Sequence, residues 1–259
     1  MIDVQDFHKI YDETVAVCGL SFEVPPGAIM GLVGPNGAGK TTTLRALAGI
    51  ISPTQGQLAI AGKDIVDDEV AAKSRLAYIP DDPRLFDGLT VWEHLEFIAA
   101  SYQVADFAEE AGQWLERFEL TEKRDTMAQE LSRGMRQKVA ICCGYIHHPS
   151  VILLDEPLTG LDPLAIRTMK ASVREQADRG ASIMISSHLL SLVEDLCTHL
   201  LILRRGQSLF CGTLDEALQK YAGLDESRSL EEVFFTATAQ QEVVAAEAAV
   251  AAEVEAEGD

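Results

Sequence analysis

Short apolar blocks alternate along this chain with longer mixed stretches of helical character. Short apolar runs bounded by polar or glycine-rich segments are typical of strands buried on both faces of a sheet. Such runs lie at residues 27–33, 76–79, 151–154, 183–186 and 200–203. Helical stretches separate them, for example at 40–48 and 163–179. This alternation predicts an α/β fold with a mostly parallel sheet and helices on its faces.

One region interrupts the alternation. Its pattern predicts helices without strands, at residues 91–100, 107–118 and 132–147. We therefore expect a helical subdomain, at about residues 85–150, inserted into a domain that spans residues 1–223.

The composition changes after residue 223, where the chain becomes rich in alanine, glutamate and valine. We interpret residues 224–259 as an acidic tail. Its second half, from Gln240, is low in complexity, which is typical of disorder or of a frayed helix.

The composition limits the classes of function. With 47% apolar residues among 259, the chain can bury a sizeable core. It lacks a run of about 18 apolar residues, and its first residues lack a signal-peptide pattern, so we expect a cytoplasmic protein. The formal net charge of −20 disfavours binding to the negative phosphate backbone of a nucleic acid, so no nucleic-acid partner is expected.

The cysteine pattern gives no sign of a metal or disulfide framework. The five cysteines include no CxxC pair, and we expect reduced, mostly buried thiols. His147 and His148 have no acidic or cysteine partner at ligand spacing, which favours a loop.

A phosphate-binding sequence follows the first predicted strand. It matches the P-loop pattern G-x-x-x-x-G-K-[ST], in which backbone N–H groups curl around a phosphate and the lysine supplies a positive charge. The candidate nucleotide residues here are Gly34, Pro35, Asn36, Gly37, Ala38, Gly39, Lys40, Thr41 and Thr42. The Thr41 hydroxyl is expected to reach Mg²⁺.

A second candidate lies where the run Val151–Leu154 ends in Asp155 and Glu156. A buried strand with this ending delivers carboxylates to the sheet edge at which α/β proteins bind ligands. We expect Asp155 to take part in holding Mg²⁺, and Glu156 to orient or deprotonate the attacking water.

A third motif precedes that strand, with the sequence Leu131, Ser132, Arg133, Gly134, Met135. Taken alone, Ser132 is a helix N-cap before an amphipathic helix. At this distance before the segment Val151–Glu156, however, the motif resembles the LSGGQ signature of ATP-binding cassettes. The resemblance covers about residues 1–223, and it implies a P-loop NTPase core with an N-terminal antiparallel β portion.

The resemblance assigns further roles. It implies that Tyr11 stacks on adenine, that Asp162 lies in the D-loop across a dimer interface, and that the switch histidine, His188, is catalytic together with Glu156. It also implies that residues 131–135 cover ATP bound to a second cassette, so that two subunits pair head to tail. Asp162 and Pro163 also form a typical N-cap and N1 pair, and the alternative interpretation is that they only begin a helix.

Two segments depart from the family pattern. Arg133 and Met135 stand where the signature usually has glycine and glutamine. Asp81 stands at the Q-loop position where glutamine is usual, and a carboxylate there could also reach the Mg²⁺ shell. An ionised carboxylate cannot donate a hydrogen bond, so the coupling role of Asp81 stays open.

The LSRGM-type signature and the segment Leu230–Phe235 resemble ATPase subunits of ABC-2-type exporters. This implies an ATPase that uses Mg²⁺ and ATP, a second ATPase subunit, and a separate transmembrane permease that holds the protein at the inner face of the cell membrane. The alternatives are a soluble cassette ATPase with a non-transport role and a non-catalytic nucleotide-gated regulator.

Overall fold

The computed structural model describes residues 1–221 and 229–239. Its strands are β1 (Ile2–Tyr11), β2 (Thr14–Val24), β3 (Ile29–Val33), β4 (Gln55–Ile60), β5 (Lys63–Asp64), β6 (Leu76–Ile79), β7 (Val151–Asp155), β8 (Ser182–Ser186), β9 (His199–Arg204) and β10 (Gln207–Thr213). Its helices are α1 (Lys40–Leu47), α2 (Glu69–Lys73), α3 (Val91–Ser101), α4 (Phe107–Arg117), α5 (Arg133–Tyr145), α6 (Pro163–Asp178), α7 (Leu190–Leu196), α8 (Leu214–Tyr221) and α9 (230–239).

The strands form two sheets. The larger has six strands in the order β10-β9-β3-β8-β7-β6, and all of its neighbouring pairs are parallel except β9 with β10. The smaller is antiparallel, in the order β2-β1-β4-β5. These sheets confirm the predicted α/β fold, with its mostly parallel core and N-terminal antiparallel portion.

The central strands β3, β7 and β8 are buried at every position. This burial explains their continuous apolar runs, since both faces of a parallel sheet are covered. One apolar core lies between the two sheets and includes residues of α1 and α2, and the other lies on the opposite face of the larger sheet, beneath the remaining helices. The strands that carry the functional motifs are therefore held rigidly from both sides.

Helices α3, α4 and α5 occupy the region between β6 and β7, where helices were expected. Trp114 of α4 packs on the buried Tyr145 of α5, with ring centroids 4.8 Å apart. Helix α5 ends at Tyr145, two residues earlier than predicted. His148 has a φ of 49° and precedes Pro149, which disfavours helical backbone at the residue before it.

All five cysteines are free thiols, and Cys142, Cys143 and Cys197 are buried, as expected.

Helix α9 packs its apolar side on the core, and Arg204 donates a hydrogen bond to the carbonyl of Thr238. The prediction for the tail from Gln240 onward lies outside the described residues. Within the described ranges, no helix is long and apolar enough to cross a membrane.

Candidate functional site

The P-loop connects the end of β3 to the start of α1. Two of its glycines have no room for a side chain. A Cβ at Gly34 would lie 2.2 Å from the carbonyl oxygen of Leu203, and one at Gly39 would lie 2.8 Å from that of Ala16. Gly39 is also the N-cap of α1, with a φ of 105°. These contacts with β9 and β2 fix the loop in a tight curve around the helix N-terminus, where an anion is favoured.

Lys40 folds back over this loop. Its Nζ donates to the carbonyl oxygens of Gly34, at 2.7 Å, and of Pro35, at 3.3 Å. Burial lowers the pKa of Lys40 from its ordinary value, and the charges of Glu156 and Asp155 act against that shift. The lysine thus places a positive charge inside the curve of the loop.

A cleft of about 450 Å³ opens beside the loop. Its lining combines the P-loop, the start of α1 and the end of β1 with acidic and hydroxyl side chains from the sheet edge: Tyr11, Thr14, Val15, Ala16, Asn36, Gly37, Ala38, Gly39, Lys40, Thr41, Thr42, Glu156 and Ser186. Tyr11 is 42% exposed at this cleft. The structure therefore brings most of the predicted nucleotide-binding residues together.

Three hydroxyl groups surround the buried carboxylate of Asp155. The Oγ of Ser186 donates to its Oδ1 at 2.6 Å, the Oγ1 of Thr41 lies 3.3 Å from the same atom, and the Tyr78 hydroxyl lies 3.5 Å from Oδ2. Burial, followed by the charge of Asp155, raises the pKa of Tyr78. These side chains come from β6, β7, β8 and α1, so the sheet edge gathers residues that are distant in sequence.

This oxygen-rich cluster fits Mg²⁺. The ion binds hard oxygen ligands, and it usually takes only one or two from the protein and the rest from water and phosphate. Thr41 and Asp155 supply such a pair next to the P-loop. Among the described residues, no group of three or more His, Cys, Asp or Glu side chains forms a metal cage.

Glu156 follows Asp155 directly and turns towards the cleft. Its backbone has a φ of 49°, which is uncommon for a residue with a side chain, and its N–H donates to the Ser186 carbonyl at 3.0 Å. Its Oε2 lies 2.8 Å from Nδ1 of His188. Glu156 is 21% exposed and lines the cleft, whereas His188, which is 65% exposed, lies outside the lining and is joined to the cleft by this contact.

The signature segment lies at the start of α5. Ser132 is the N-cap, and its Oγ accepts a hydrogen bond from the Met135 N–H at 3.3 Å. A Cβ at Gly134 would lie 2.3 Å from the carbonyl oxygen of Gly160, so glycine is required there. Among the described residues, the lining of the P-loop cleft includes none of residues 131–135.

Asp162 caps the next helix and joins it to α5. Its Oδ1 accepts from the Ala165 N–H at 2.8 Å, which confirms the predicted N-cap, and its Oδ2 lies 2.9 Å from Nζ of Lys138. The Ala165 hydrogen bond, together with Lys138, lowers the pKa of Asp162.

Asp81 lies beside the signature rather than in the P-loop cleft. Its Oδ1 accepts from Nη2 of Arg133 at 2.9 Å, and its side chain is 46% exposed. It does not line the cleft with Thr41 and Glu156.

Ser186, Tyr78 and Lys138 were not predicted from the sequence as parts of these clusters. Ser186 and Tyr78 lie at or near the ends of strands β8 and β6, on the sheet edge that carries Asp155. Polar residues in that position were the available signal. Lys138 gave no comparable signal, because its pairing with Asp162 depends on how two helices pack.

A P-loop, strand-end carboxylates and a separate capped helix together define a P-loop nucleotide hydrolase of the cassette type. A family model described as ABC transporter matches residues 17–159. The chain is 34% identical to the ABC-type transporter ATP-binding protein EcsA of Bacillus subtilis, over 87% of this chain and 92% of that protein. It is 35% identical to the Nod factor export ATP-binding protein I of Burkholderia pseudomallei, over 86% of this chain and 74% of that protein.

A solved structure, an ATP-binding subunit of an ABC transporter, aligns with a TM-score of 0.88 at 33% identity, covering 92% of this chain and 99% of that one. A nucleotide-free ATP-binding cassette aligns with a TM-score of 0.71, covering 92% of this chain and 95% of that one, and at 24% identity it supports the fold alone. The chain belongs to the ABC transporter family. It is an ATPase subunit of a transporter, which binds nucleotide and couples its hydrolysis to transport.

Proposed function

We propose that this chain powers an exporter, by closing with a second cassette around Mg-ATP and thereby driving a separate membrane permease. The observation that supports it most directly is the division of the site. The P-loop cleft is lined by Glu156, which His188 contacts, whereas the signature at the start of α5 does not line it. A second copy, packed head to tail with two-fold symmetry, supplies what each cleft lacks.

Each residue has a part in this mechanism. The P-loop N–H groups and Lys40 hold the phosphates, and Tyr11 stacks on the adenine. Thr41 and Asp155 would hold Mg²⁺, which supplies neutralising charge to the phosphates when it is bound. The hydroxyl of Ser186 and the phenol of Tyr78 keep the Asp155 carboxylate in place.

Hydrolysis depends on the Glu156 and His188 pair. Glu156 orients the attacking water and accepts its proton, while His188 holds the carboxylate by the 2.8 Å contact and faces the γ-phosphate. Closure by Ser132 and the Gly134 N–H of the second copy excludes bulk water and stabilises the charge of the transferred phosphoryl group. Phosphate loss then removes the ligand that joins the two subunits, and the dimer opens.

The permease docks in an apolar groove between β6 and the helical subdomain. This groove has a volume of about 250 Å³. Phe86 and Phe97 both line it, 58% and 47% exposed, with ring centroids 5.4 Å apart. Exposed paired aromatic rings are typical of surfaces that bind a partner. The occupant we propose is a short helix of the permease.

Export as the direction of transport is supported by two features. The relatives from Burkholderia pseudomallei are named for Nod factor export, and the signature of this chain resembles those of ABC-2-type exporters. The protein would then work at the inner face of the cell membrane, held there by its permease.

Affinity purification from detergent-solubilised native membranes tests this proposal. We expect a multi-span membrane protein to co-elute in stoichiometric amount with the tagged protein and with the matched control Ile50→Glu, which changes an exposed apolar residue outside the groove. The Phe97→Glu variant should not retain this membrane protein, because a charge in the groove is costly to bury. Recovery only from the soluble fraction would favour a non-transport cassette, and retention by Phe97→Glu would exclude the groove as the docking site.

A further inference from the structure

Two of the three positions at which this chain departs from the usual cassette sequence contact each other. Asp81, at the Q-loop position, and Arg133, in the signature, are 52 residues apart and form an ion pair of 2.9 Å. Nη2 of Arg133 also lies 3.4 Å from the Asp81 carbonyl oxygen. One guanidinium therefore ties the loop after β6 to the start of α5.

Arg133 is the first residue of α5, where a cation is electrostatically disfavoured. The positive end of the helix dipole lies there, and the first turn of α5 contains no acidic residue. An anion beside Arg133 offsets this arrangement, and in the isolated subunit the anion is the carboxylate of Asp81. The same helix start is the place at which the second subunit would present its γ-phosphate under the proposed function.

The pair is easily exchanged for another partner. Arg133 is 47% exposed and Asp81 is 46% exposed, so water and salt screen their attraction. The Arg133 methylenes lie over Gly160, where a Cβ would be 3.6 Å from both Cγ and Cδ. The guanidinium can therefore change partners while the methylene groups of Arg133 stay packed on Gly160. A γ-phosphate, with more charge and more acceptor oxygens than a carboxylate, is the stronger partner.

We propose that Asp81 and Arg133 form a charge latch: Asp81 holds Arg133 within its own subunit until the γ-phosphate bound by a second subunit displaces that carboxylate. Asp81 then acts through Arg133 and sets the ATP concentration at which the subunits close. This inference rests on the head-to-tail dimer of the proposed function and adds a regulatory step to it.

The test is sedimentation velocity during an ATP titration, with Mg²⁺, of proteins that carry Glu156→Gln to stop hydrolysis. Asp81→Asn should lower the ATP midpoint of dimerisation by about two- to five-fold, the factor that corresponds to an exposed ion pair. Arg133→Gln should raise it by about ten-fold, through loss of a charge-assisted contact. The matched control Glu69→Gln, which breaks the exposed 2.6 Å pair with Lys73 on α2, should leave the midpoint unchanged.

The double variant separates the latch from a general structural effect. If Asp81 acts through Arg133, the double variant Asp81→Asn/Arg133→Gln should have the midpoint of Arg133→Gln alone. An unchanged or raised midpoint in Asp81→Asn overturns the latch, as does a lowered midpoint that persists in the double variant. A weaker affinity of the monomeric Asp81→Asn protein for a fluorescent ATP analogue also overturns it, because Asp81 would then belong to the Mg²⁺ shell.

Failure of the dimer itself gives a different result. A Glu156→Gln protein that stays monomeric at saturating ATP overturns the head-to-tail dimer, and the latch with it. Dimerisation with equal midpoints in all variants overturns the latch alone.

Discussion

The floor of the P-loop cleft and the surroundings of α5 are built in different ways. We use floor for Lys40, Thr41, Asp155 and Ser186, and rim for two ion pairs made by α5 outside the lining of the cleft, Asp81–Arg133 and Lys138–Asp162. In the floor, Lys40, Asp155 and Ser186 are at most 9% exposed, and only Thr41, at the surface of the cleft, is exposed. In the rim, Arg133, Asp81 and Asp162 are about half exposed, whereas the side chain of Lys138 is 9% exposed.

This difference in burial fits the two tasks proposed for the protein, hydrolysis of the nucleotide and pairing with a second subunit. A buried, hydrogen-bonded floor keeps its geometry before the nucleotide arrives, which reduces the cost of binding and of reaction. Exposed ion pairs contribute little to stability and can exchange partners at little cost. The cassette is therefore rigid where chemistry occurs and adaptable where the second subunit is expected.

The largest effect is expected at the edge of the floor, from Glu156→Gln. This change keeps the shape of the side chain but removes the base, so hydrolysis should fall by about a hundred-fold to ten-thousand-fold. ATP binding should persist and the dimer should stay closed, as measured by phosphate release together with size-exclusion chromatography. Rapid hydrolysis, or a failure to dimerise with ATP, would contradict the role of Glu156.

A smaller effect is expected from Ser186→Ala, which removes the 2.6 Å hydrogen bond to the buried Asp155. Loss of a buried bond to a charged group should lower the free energy of unfolding by about 1–3 kcal/mol. Denaturant unfolding of the nucleotide-free protein measures this loss.

The matched control for that experiment is Ser208→Ala on β10, where the serine is exposed. It should stay within about 0.5 kcal/mol of the wild-type protein. Equal stability of the Ser186 and Ser208 variants would show that the hydrogen bond from Ser186 to Asp155 does not stabilise the floor.

The smallest effect is expected in the rim, from Lys138→Met. Because the folded pKa of Asp162 is lowered, its interactions stabilise the protein above the ordinary value of 3.8, and this contribution is lost as the pH falls through the folded pKa. The variant should lose less stability on acidification, with a change at neutral pH within about 1 kcal/mol. Thermal unfolding between pH 3 and 7 measures both.

Lys170→Met is the control, because it breaks a similar 2.9 Å pair with Asp195 away from the cleft. It should alter the pH profile in the same direction but leave ATP-dependent dimerisation unchanged. A loss of stability in Lys138→Met as large as that in Ser186→Ala would erase the distinction between floor and rim.

The sequence predicted the floor better than the rim. The central strands appear as continuous apolar runs because both faces are buried, and Gly39, Lys40 and Asp155 fall at their ends. Ser132 and Asp162 were identifiable as N-caps from local chemistry. These features depend on short stretches of chain.

The strands of the antiparallel sheet were harder to predict. β1 is partly exposed, and its register with β2 shifts at several points, so its apolar residues do not alternate regularly. Ion pairs between distant residues, such as Asp81 with Arg133, depend on the packing of the helical subdomain. A single sequence does not encode that packing as a local pattern.

The two hydrogen bonds that Lys40 makes to the P-loop carbonyls have a consequence for ligand selectivity. A single anion that enters the loop must compete with these two carbonyl oxygens for the lysine, which reduces the part of its binding energy that comes from Lys40. A chain of linked phosphates offers several oxygens at once to the lysine and to the N–H groups, and its later contacts form without a further loss of translational entropy. We therefore expect the loop to bind longer phosphate chains more tightly, which is a chelate effect.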